Sequence, residues 1–511
     1  MIEWDAARIA AASGARLLRA GNGDPPTPRR VVIDSRAVRP GDLFVGLPGE
    51  RVDGGAYAAQ ALRAGAWGVL VAPTHARPLE AGTSAAPTGT PTPPAGTSAA
   101  LPGIGAVLVH PDPLAALQSL ARAWRRTLGE AGARVVAVTG STGKTSTKDI
   151  LAALLRGAEA ELGGPAVASP ENLNTEIGLP LAVLAAPLGT RALVLEMAMR
   201  GPGQIAQLTA IAEPEVGVIV NVGPVHLEQL GSLEAIAAAK AELIAGMAPG
   251  ATVVLPASEP LLAPHLRTEL RTVTFGEGGD VELVERGEDG EVAIVDRVPP
   301  IQGAHRGERV PGRERASGGI TVPYGGQLIR LRPSFVQSHN LRNLLAAVAA
   351  ARALGVTPTG SLDVEFSALR GERIALPDGI VLINDCYNAN PMSMRAALDD
   401  LAASAPGRRV AVLGDMLELG SEERRLHREV GAHAGARGVE LLVAVGPLAG
   451  EMGKELEGPV YCVPEAAEAA ELLPGLLRAG DSVLVKGSRG VGLERVAERL
   501  VREAGASGVV G

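Results

Sequence analysis

Residues Val138 to Lys148 read VTGSTGKTSTK. The apolar run Arg134-Val135-Val136-Ala137-Val138 before them reads as a buried strand, and Ile150, Leu151, Leu154 and Leu155 after them, at about one-turn spacing, predict a helix. The stretch therefore joins a strand to a helix N-terminus. There the exposed backbone N–H groups and the helix dipole favour polyphosphate, Gly140 and Gly143 allow close approach, Lys144 supplies charge, and Thr145 offers a hydroxyl suited to Mg²⁺. Ser141, Thr142 and Ser146 complete the expected nucleotide contacts. Val138 stands where the common pattern GxxxxGK[ST] has its first glycine, so the match is to the shorter form TGxxGKT. Nucleotide binding follows from the loop, and the reaction has to be read elsewhere.

Further strands are expected at Val31-Val32-Ile33, Gly68-Val69-Leu70-Val71, Ala106-Val107-Leu108-Val109, Ala192 to Leu195, Val216 to Val220 and Thr252 to Leu255, with a helix from Leu114 to Leu128. A helix from Asn340 to Leu354 precedes Gly355 and Pro358, and the alternation then resumes at Ile380 to Ile383, Arg409 to Leu413, Leu441 to Val445 and Ser482 to Val485. Strands alternating with helices predict an α/β chain with parallel sheets covered on both faces. At 511 residues the chain is too long for one ordinary core. The expected division is an N-terminal domain over 1–112, a central ATPase-type domain over 113–357 and a doubly wound, Rossmann-like domain over 358–511. Residues 82–100 are low-complexity Pro, Thr, Ala and Gly and read as an insertion. Residues 276–319 are polar and glycine-rich and read as a second, irregular one.

The formal charge of -8 gives no basic footprint for nucleic acid. Two cysteines, Cys386 and Cys462, make neither a disulfide framework nor a metal-ligand spacing. The N-terminus lacks a basic region followed by an apolar one, and no apolar run is long enough to span a bilayer. A soluble, cytoplasmic protein is expected.

Lysine is scarce while arginine is abundant: Lys144, Lys148, Lys240, Lys454 and Lys486 are the only ones. Such a chain is expected to keep lysine where guanidinium cannot replace it. Lys240 shares a helical face with Leu233, Ile236 and Leu243 in SLEAIAAAKAELI. It can snorkel there, or its desolvated amine can react with CO₂ to give an anionic carbamate that ligates metal. Glu196 closes the apolar strand of ALVLEMAMRGPGQI, at the sheet edge where ligand sites gather, and a carboxylate there can bind Mg²⁺ or cap a helix. The next strand ends in NVGPVHLEQLGS and presents Asn221 and His226.

Together these stretches resemble the Mur ligase family of peptidoglycan synthesis. The resemblance is carried by DSRAVRPGDLFVGLPGERVDGG, TGSTGKTSTK, NLNTEIGLPLAVL, LEMAMRGPGQIAQL, NVGPVHLEQLGSLEAIAAAKAEL, NDCYNANPMSMRAAL, LGDMLELG and VLVKGSRG, in family order over nearly the whole chain. It implies an N-terminal UDP-sugar domain, a central ATPase domain and a Rossmann-like C-terminal domain. It also implies ATP, two Mg²⁺ ions bound through Thr145, Glu196, His226 and a carbamylated Lys240, and catalytic roles for Lys144, His226, Lys240 and Arg373. By the same resemblance Ser35 and Arg36 contact the uridine diphosphate with Asp53 and Gly54 nearby, Asn343 contacts adenine, and Arg373 and Asp385 reach the nucleotide from the C-terminal domain. YNANP and LGDMLELG resemble the member that joins D-alanyl-D-alanine to UDP-N-acetylmuramoyl-tripeptide, which gives Tyr387, Asn388, Asn390 and Lys486 as substrate contacts and a monomer as the working unit. YNANP also suits an ordinary loop and helix entry. Two other classes stay open. A P-loop kinase would leave DSR and YNANP without a role, and a nucleotide-regulated binding protein would leave Glu196, His226 and Lys240 without one.

Overall fold

The computed structural model describes residues 3–21, 26–49, 52–80, 105–170, 173–287, 290–298 and 326–505. The strand expected before the phosphate loop runs Arg134–Thr139 and lies between two parallel neighbours, Ala192–Glu196 and Val216–Ile219. Alternate side chains serve different cores. Val135 and Ala137 join Leu193, Leu195 and Ile219 on one face, while Val136 and Val138 join Val194, Val216 and Val218 on the other. Burial on both faces explains why these strands read as continuous apolar runs. Because all three run in one direction, the loop after Thr139, the Glu196 carboxylate and the loop after Ile219 leave at the same sheet edge. Val138 is in register with Glu196, and Thr139 with Ile219.

Among the described residues this sheet has ten strands. Parallel strands Thr252–Pro256 and Arg271–Phe275 extend it on the side of Val216–Ile219. The irregular insertion expected over 276–319 is corrected here. Val281–Arg286 and Val292–Asp296 form an antiparallel pair, and Gln327–Pro333 pairs antiparallel with the second of them. Asp296 is buried and bonds Arg352 Nε at 2.6 Å, which ties this pair to the end of the helix Ser338–Ala353. Polar exposed positions such as Glu282 and Glu285 hid the inward-facing Val281, Val292 and Ile294. Residues 299–319 of that insertion and the whole of 82–100 lie outside the described residues.

Among the described residues the N-terminal sheet has five strands, with Val31–Val32, Leu43–Val45, Gly68–Val71 and Ala106–Val109 parallel and Arg16–Arg19 antiparallel at one edge. The C-terminal sheet places Ser482–Lys486 between Val381–Asn384 and Arg409–Gly414, followed by Leu441–Val445 and Val460–Val463, all parallel. Leu382, Val410, Val412, Val443 and Val483 pack on one face and Ile383, Ala411, Leu413, Leu442 and Leu484 on the other. This is a doubly wound arrangement. Helix starts follow local capping. Asp112 accepts from Leu114 N and Ala115 N before Pro113–Glu130, and Asn390 and Ser393 form a reciprocal capping box before Pro391–Ser404.

Candidate active site

The phosphate loop passes into the helix Lys144–Gly157 through Gly143, which has φ +75° and no side-chain cap. A Cβ at Gly143 would come within 2.5 Å of Asn343 Oδ1, so glycine here lets the loop lie against the helix Ser338–Ala353. Asn221 braces the loop's first half. Its Oδ1 accepts from Ser141 N at 3.1 Å and Thr142 N at 2.9 Å, and its Nδ2 donates to Thr142 O and Thr142 Oγ1, both at 3.1 Å. Ser141 Oγ donates to Gly223 O and accepts from Gly223 N. Lys144 Nζ donates to Gly140 O at 2.9 Å. Desolvation lowers the Lys144 pKa against the attraction of Glu196.

The Thr145 hydroxyl donates to Glu196 Oε2 at 2.8 Å, and Asn174 Nδ2 donates to Glu196 Oε1 at 2.9 Å. Glu196 N donates to Ser169 Oγ, and Lys148 Nζ to Ser169 O. Glu196 is 2% exposed, so its carboxylate and the Thr145 hydroxyl are buried together, with the half-buried Asn174 amide beside them. A hydroxyl and a carboxylate converging beside a phosphate loop are hard oxygen donors of the kind Mg²⁺ takes, and the residues fit that ion. Among the described residues no cluster of three His, Cys, Asp or Glu side chains is placed to hold a metal. A second ion here would need an anionic ligand of another kind.

Lys240 is 2% exposed on the helix Leu233–Gly246. Burial drives its pKa well below the ordinary lysine value, and the Lys144 charge pushes the same way. A neutral amine is the form that takes up CO₂. His226 sits at φ +54°, and its Nδ1 pairs with Glu418 of the LGDMLELG stretch. Burial lowers the His226 pKa, Glu418 opposes this, and the charges of Lys144 and Lys240 lower it further.

A second group gathers at the C-terminal sheet edge. Lys486, 2% exposed, donates to Asp385 Oδ2 at 2.6 Å and Asn388 O at 3.0 Å, so it is an internal rather than a surface lysine. The Asn390 side chain caps the helix it precedes. Arg370 stacks on the Tyr387 ring, 4.0 Å from its centroid. For Arg373, expected at the nucleotide, the structure gives bonds from Nη2 to Asp400 Oδ2 at 2.8 Å and to Ser404 Oγ at 2.9 Å, the Asp400 carboxyl being one whose burial raises its pKa.

The third group is in the N-terminal domain, where Ser35 and Arg36 follow one parallel strand and Asp53 and Gly54 the next. Asp34 accepts from Arg36 N, Nε and Nη2 and is held down to about 2 by that guanidinium. Asp53 accepts from Gly55 N at 2.9 Å and pairs with His75 at 2.7 Å. Both carboxylates therefore shape their turns. Sequence reasoning missed Glu418 and Arg370, at which only the recurrence of polar residues in LGDMLELG and RGERI hinted.

Three family models match the chain: the Mur ligase family catalytic domain over residues 29–125, the Mur ligase middle domain over 138–351 and the Mur ligase glutamate ligase domain over 369–489. A UDP-N-acetylmuramoyl-tripeptide--D-alanyl-D-alanine ligase of Mycobacterium leprae is 35% identical, covering 98% of this chain and 99% of its own. One from Bacillus subtilis is 33% identical over 92% and 93%. Among solved structures, MurF from Acinetobacter baumannii has a TM-score of 0.76 at 27% identity, covering 98% of this chain and 99% of its own. MurF ligase from Thermotoga maritima, in complex with ADP, has a TM-score of 0.70 at 29% identity over 93% and 98%.

Proposed function

Because this chain belongs to the Mur ligase family, we propose that it is the ATP-dependent ligase joining D-alanyl-D-alanine to the terminal carboxylate of UDP-N-acetylmuramoyl-tripeptide. The observation that carries this assignment is the meeting of two loops. The segment Asn221 to Glu228, which braces the phosphate loop through Asn221, is bonded at His226 and Glu228 N to Glu418 of the C-terminal domain. A ligase needs its nucleotide and its amine substrate on opposite sides of such a junction. A kinase or a passive nucleotide binder does not need YNANP and LGDMLELG there.

ATP enters with its phosphates along Gly140 to Ser146 and its base beside Asn343. The γ-phosphoryl group passes to the tripeptide carboxylate, giving an acyl phosphate and ADP, with Lys144 neutralising charge that grows on the transferring group. The free amine of D-alanyl-D-alanine then attacks the acyl carbon, the tetrahedral intermediate collapses, and phosphate leaves as the amide forms. A Mg²⁺ ion held by Thr145 and Glu196, and a second by Glu196, His226 and a carbamylated Lys240, would supply charge neutralisation at the phosphates. Ser35 and Arg36, with the Asp53 to Gly54 turn beside them, hold the uridine diphosphate. Tyr387, Asn388 and the Lys486–Asp385 pair line the dipeptide side, Asp385 facing the nucleotide and Asn390 fixing the helix entry. No helix among the described residues is long and apolar enough to cross a membrane. A cytoplasmic monomer fits a site built from three domains of one chain and fed by ATP and a nucleotide-linked substrate.

The test is phosphate release with ATP, Mg²⁺ and UDP-N-acetylmuramoyl-tripeptide, with D-alanyl-D-alanine added or withheld and the product weighed. Release that depends on the dipeptide, with a pentapeptide product, is expected. An acid-stable phosphorylated product would instead support a kinase, and binding without ATP consumption a regulatory protein.

A further inference from the structure

Three neighbouring strands of the N-terminal sheet, Val31–Val32, Leu43–Val45 and Gly68–Val71, are parallel, so the segments that follow them leave at one sheet edge. The first leads to Ser35 and Arg36, and the second to the turn Asp53 to Gly55. The third leads through Ala72 into the helix Pro73–Glu80, whose first turn carries His75. His75 Nε2 lies 2.7 Å from Asp53 Oδ2, and because a carboxylate only accepts, that nitrogen carries the proton and donates. The other oxygen, Asp53 Oδ1, accepts from Gly55 N at 2.9 Å. A glycine makes room for the ring: a Cβ at Gly55 would come within 2.3 Å of His75 Cδ2. The turn is also pressed against the residues that follow its own strand, since a Cβ at Gly46 would come within 2.6 Å of Gly55 Cα, and Gly54 N donates to Leu47 O at 2.9 Å. The side chains of Asp53 and His75 are 47% and 23% exposed. A pair so open to water adds little to stability, so its use has to be sought in what the turn receives.

We infer that His75 is a positioning residue for the UDP-linked substrate, holding the turn Asp53 to Gly55 in the form that accepts the diphosphate. The inference rests on the reading that Ser35, Arg36 and this turn hold the uridine diphosphate. A carboxylate free to rotate toward that anion would repel it. His75 and Gly55 N give both Asp53 oxygens a donor and keep them in the turn. Without the imidazole Oδ2 loses its donor, and the carboxylate is held at one oxygen only. The helix Pro73–Glu80 thereby serves the substrate turn although it belongs to the next strand.

Calorimetry on the full chain, with UDP-N-acetylmuramoyl-tripeptide and ADP as separate probes, reads the effect. His75→Leu is expected to weaken the UDP-linked tripeptide by about tenfold while ADP stays within about twofold. His75→Gln, which keeps an N–H donor at a similar reach, should recover most of that loss. Gly55→Ala leaves His75 in the chain but drives its ring off Asp53, and it should reproduce the loss, which keeps the test open if His75→Leu folds poorly. In turnover the loss should appear in the KM for the UDP-linked tripeptide, with kcat and the KM for D-alanyl-D-alanine little changed, the pattern of lost ground-state binding. Unchanged affinity for the UDP-linked tripeptide in His75→Leu and Gly55→Ala, equal losses for both ligands, or a His75→Gln variant no better than His75→Leu would overturn the inference. A wild-type chain that binds ADP but not the UDP-linked tripeptide would instead overturn the reading of the turn on which the inference rests.

Discussion

Lys240 is almost fully buried on a helix whose other inward residues are apolar, and among the described residues no carboxylate is bonded to it. An ammonium so placed is costly, and a carbamate that ligates metal removes the cost. Lys240→Ala is expected to lower activity about 100-fold, with recovery by added short-chain carboxylates in a phosphate-release assay. Full activity without rescue would exclude the carbamate. His427 is fully buried on the helix Glu423–Ala436 that follows the LGDMLELG stretch, where Nε2 accepts from Met416 N at 3.0 Å and Nδ1 donates to Glu423 O at 2.6 Å. Both ring nitrogens are committed to the neutral form, and burial lowers its pKa from the ordinary 6.5. The unfolded chain therefore binds the proton first. This contribution to stability is complete above about pH 6.5, declines as pH falls toward the depressed folded value, and levels off below it. Tm measured from pH 7.5 to 5.5 should fall, and His427→Gln should show a shallower slope over about that range. Sequence made Lys240 conspicuous because lysine is scarce, whereas His427 gave no signal, since its partners are backbone groups brought in by the turn.

At the scale of elements, the phosphate loop owes its shape to a neighbour. Asn221 is separated from Ser141 by 80 positions in sequence, yet it carries four hydrogen bonds to Ser141 and Thr142. Asn221→Ala leaves two loop amides without their side-chain acceptor, a loss of about 1–3 kcal/mol of local order. The expected outcome is weaker ADP binding by calorimetry with little change in the far-UV spectrum. Wild-type affinity would show that the loop holds its shape unaided. The motif was legible because its glycines and its lysine are local requirements. The brace was not, because nothing in NVGPVH specifies which loop its asparagine faces. The same limit explains the hairpin Val281–Asp296: its inward face is fixed by the Asp296–Arg352 pair and by the packing of Val292 and Ile294, contacts that polarity along the chain conceals.

At the scale of the whole molecule, the C-terminal domain is seated on the loop that follows Val216–Ile219. A Cβ at Gly223 would run into Met392 Sδ, Glu228 N donates to Glu418 O at 3.1 Å, and His226 pairs with Glu418. The loop that braces the phosphate loop is therefore also the surface on which the C-terminal domain rests. Gly223→Leu is expected to displace that domain, lowering kcat by about a hundredfold through misplacement of the reacting groups while ADP remains bound. Small-angle scattering should show a larger radius of gyration, and an unchanged radius with normal kcat would refute the role of this contact. By itself the sequence determined the α/β class, the strands buried on both faces, the phosphate loop and the family, because these follow from apolar periodicity, local glycine and lysine requirements and motifs intact along the chain. Only the tertiary structure decided that Asn221 braces the phosphate loop, that Lys486 pairs with Asp385, and that Glu418 meets His226. Those contacts join residues 80 to 192 positions apart, so they follow from how distant loops are packed together and not from any local pattern along the chain.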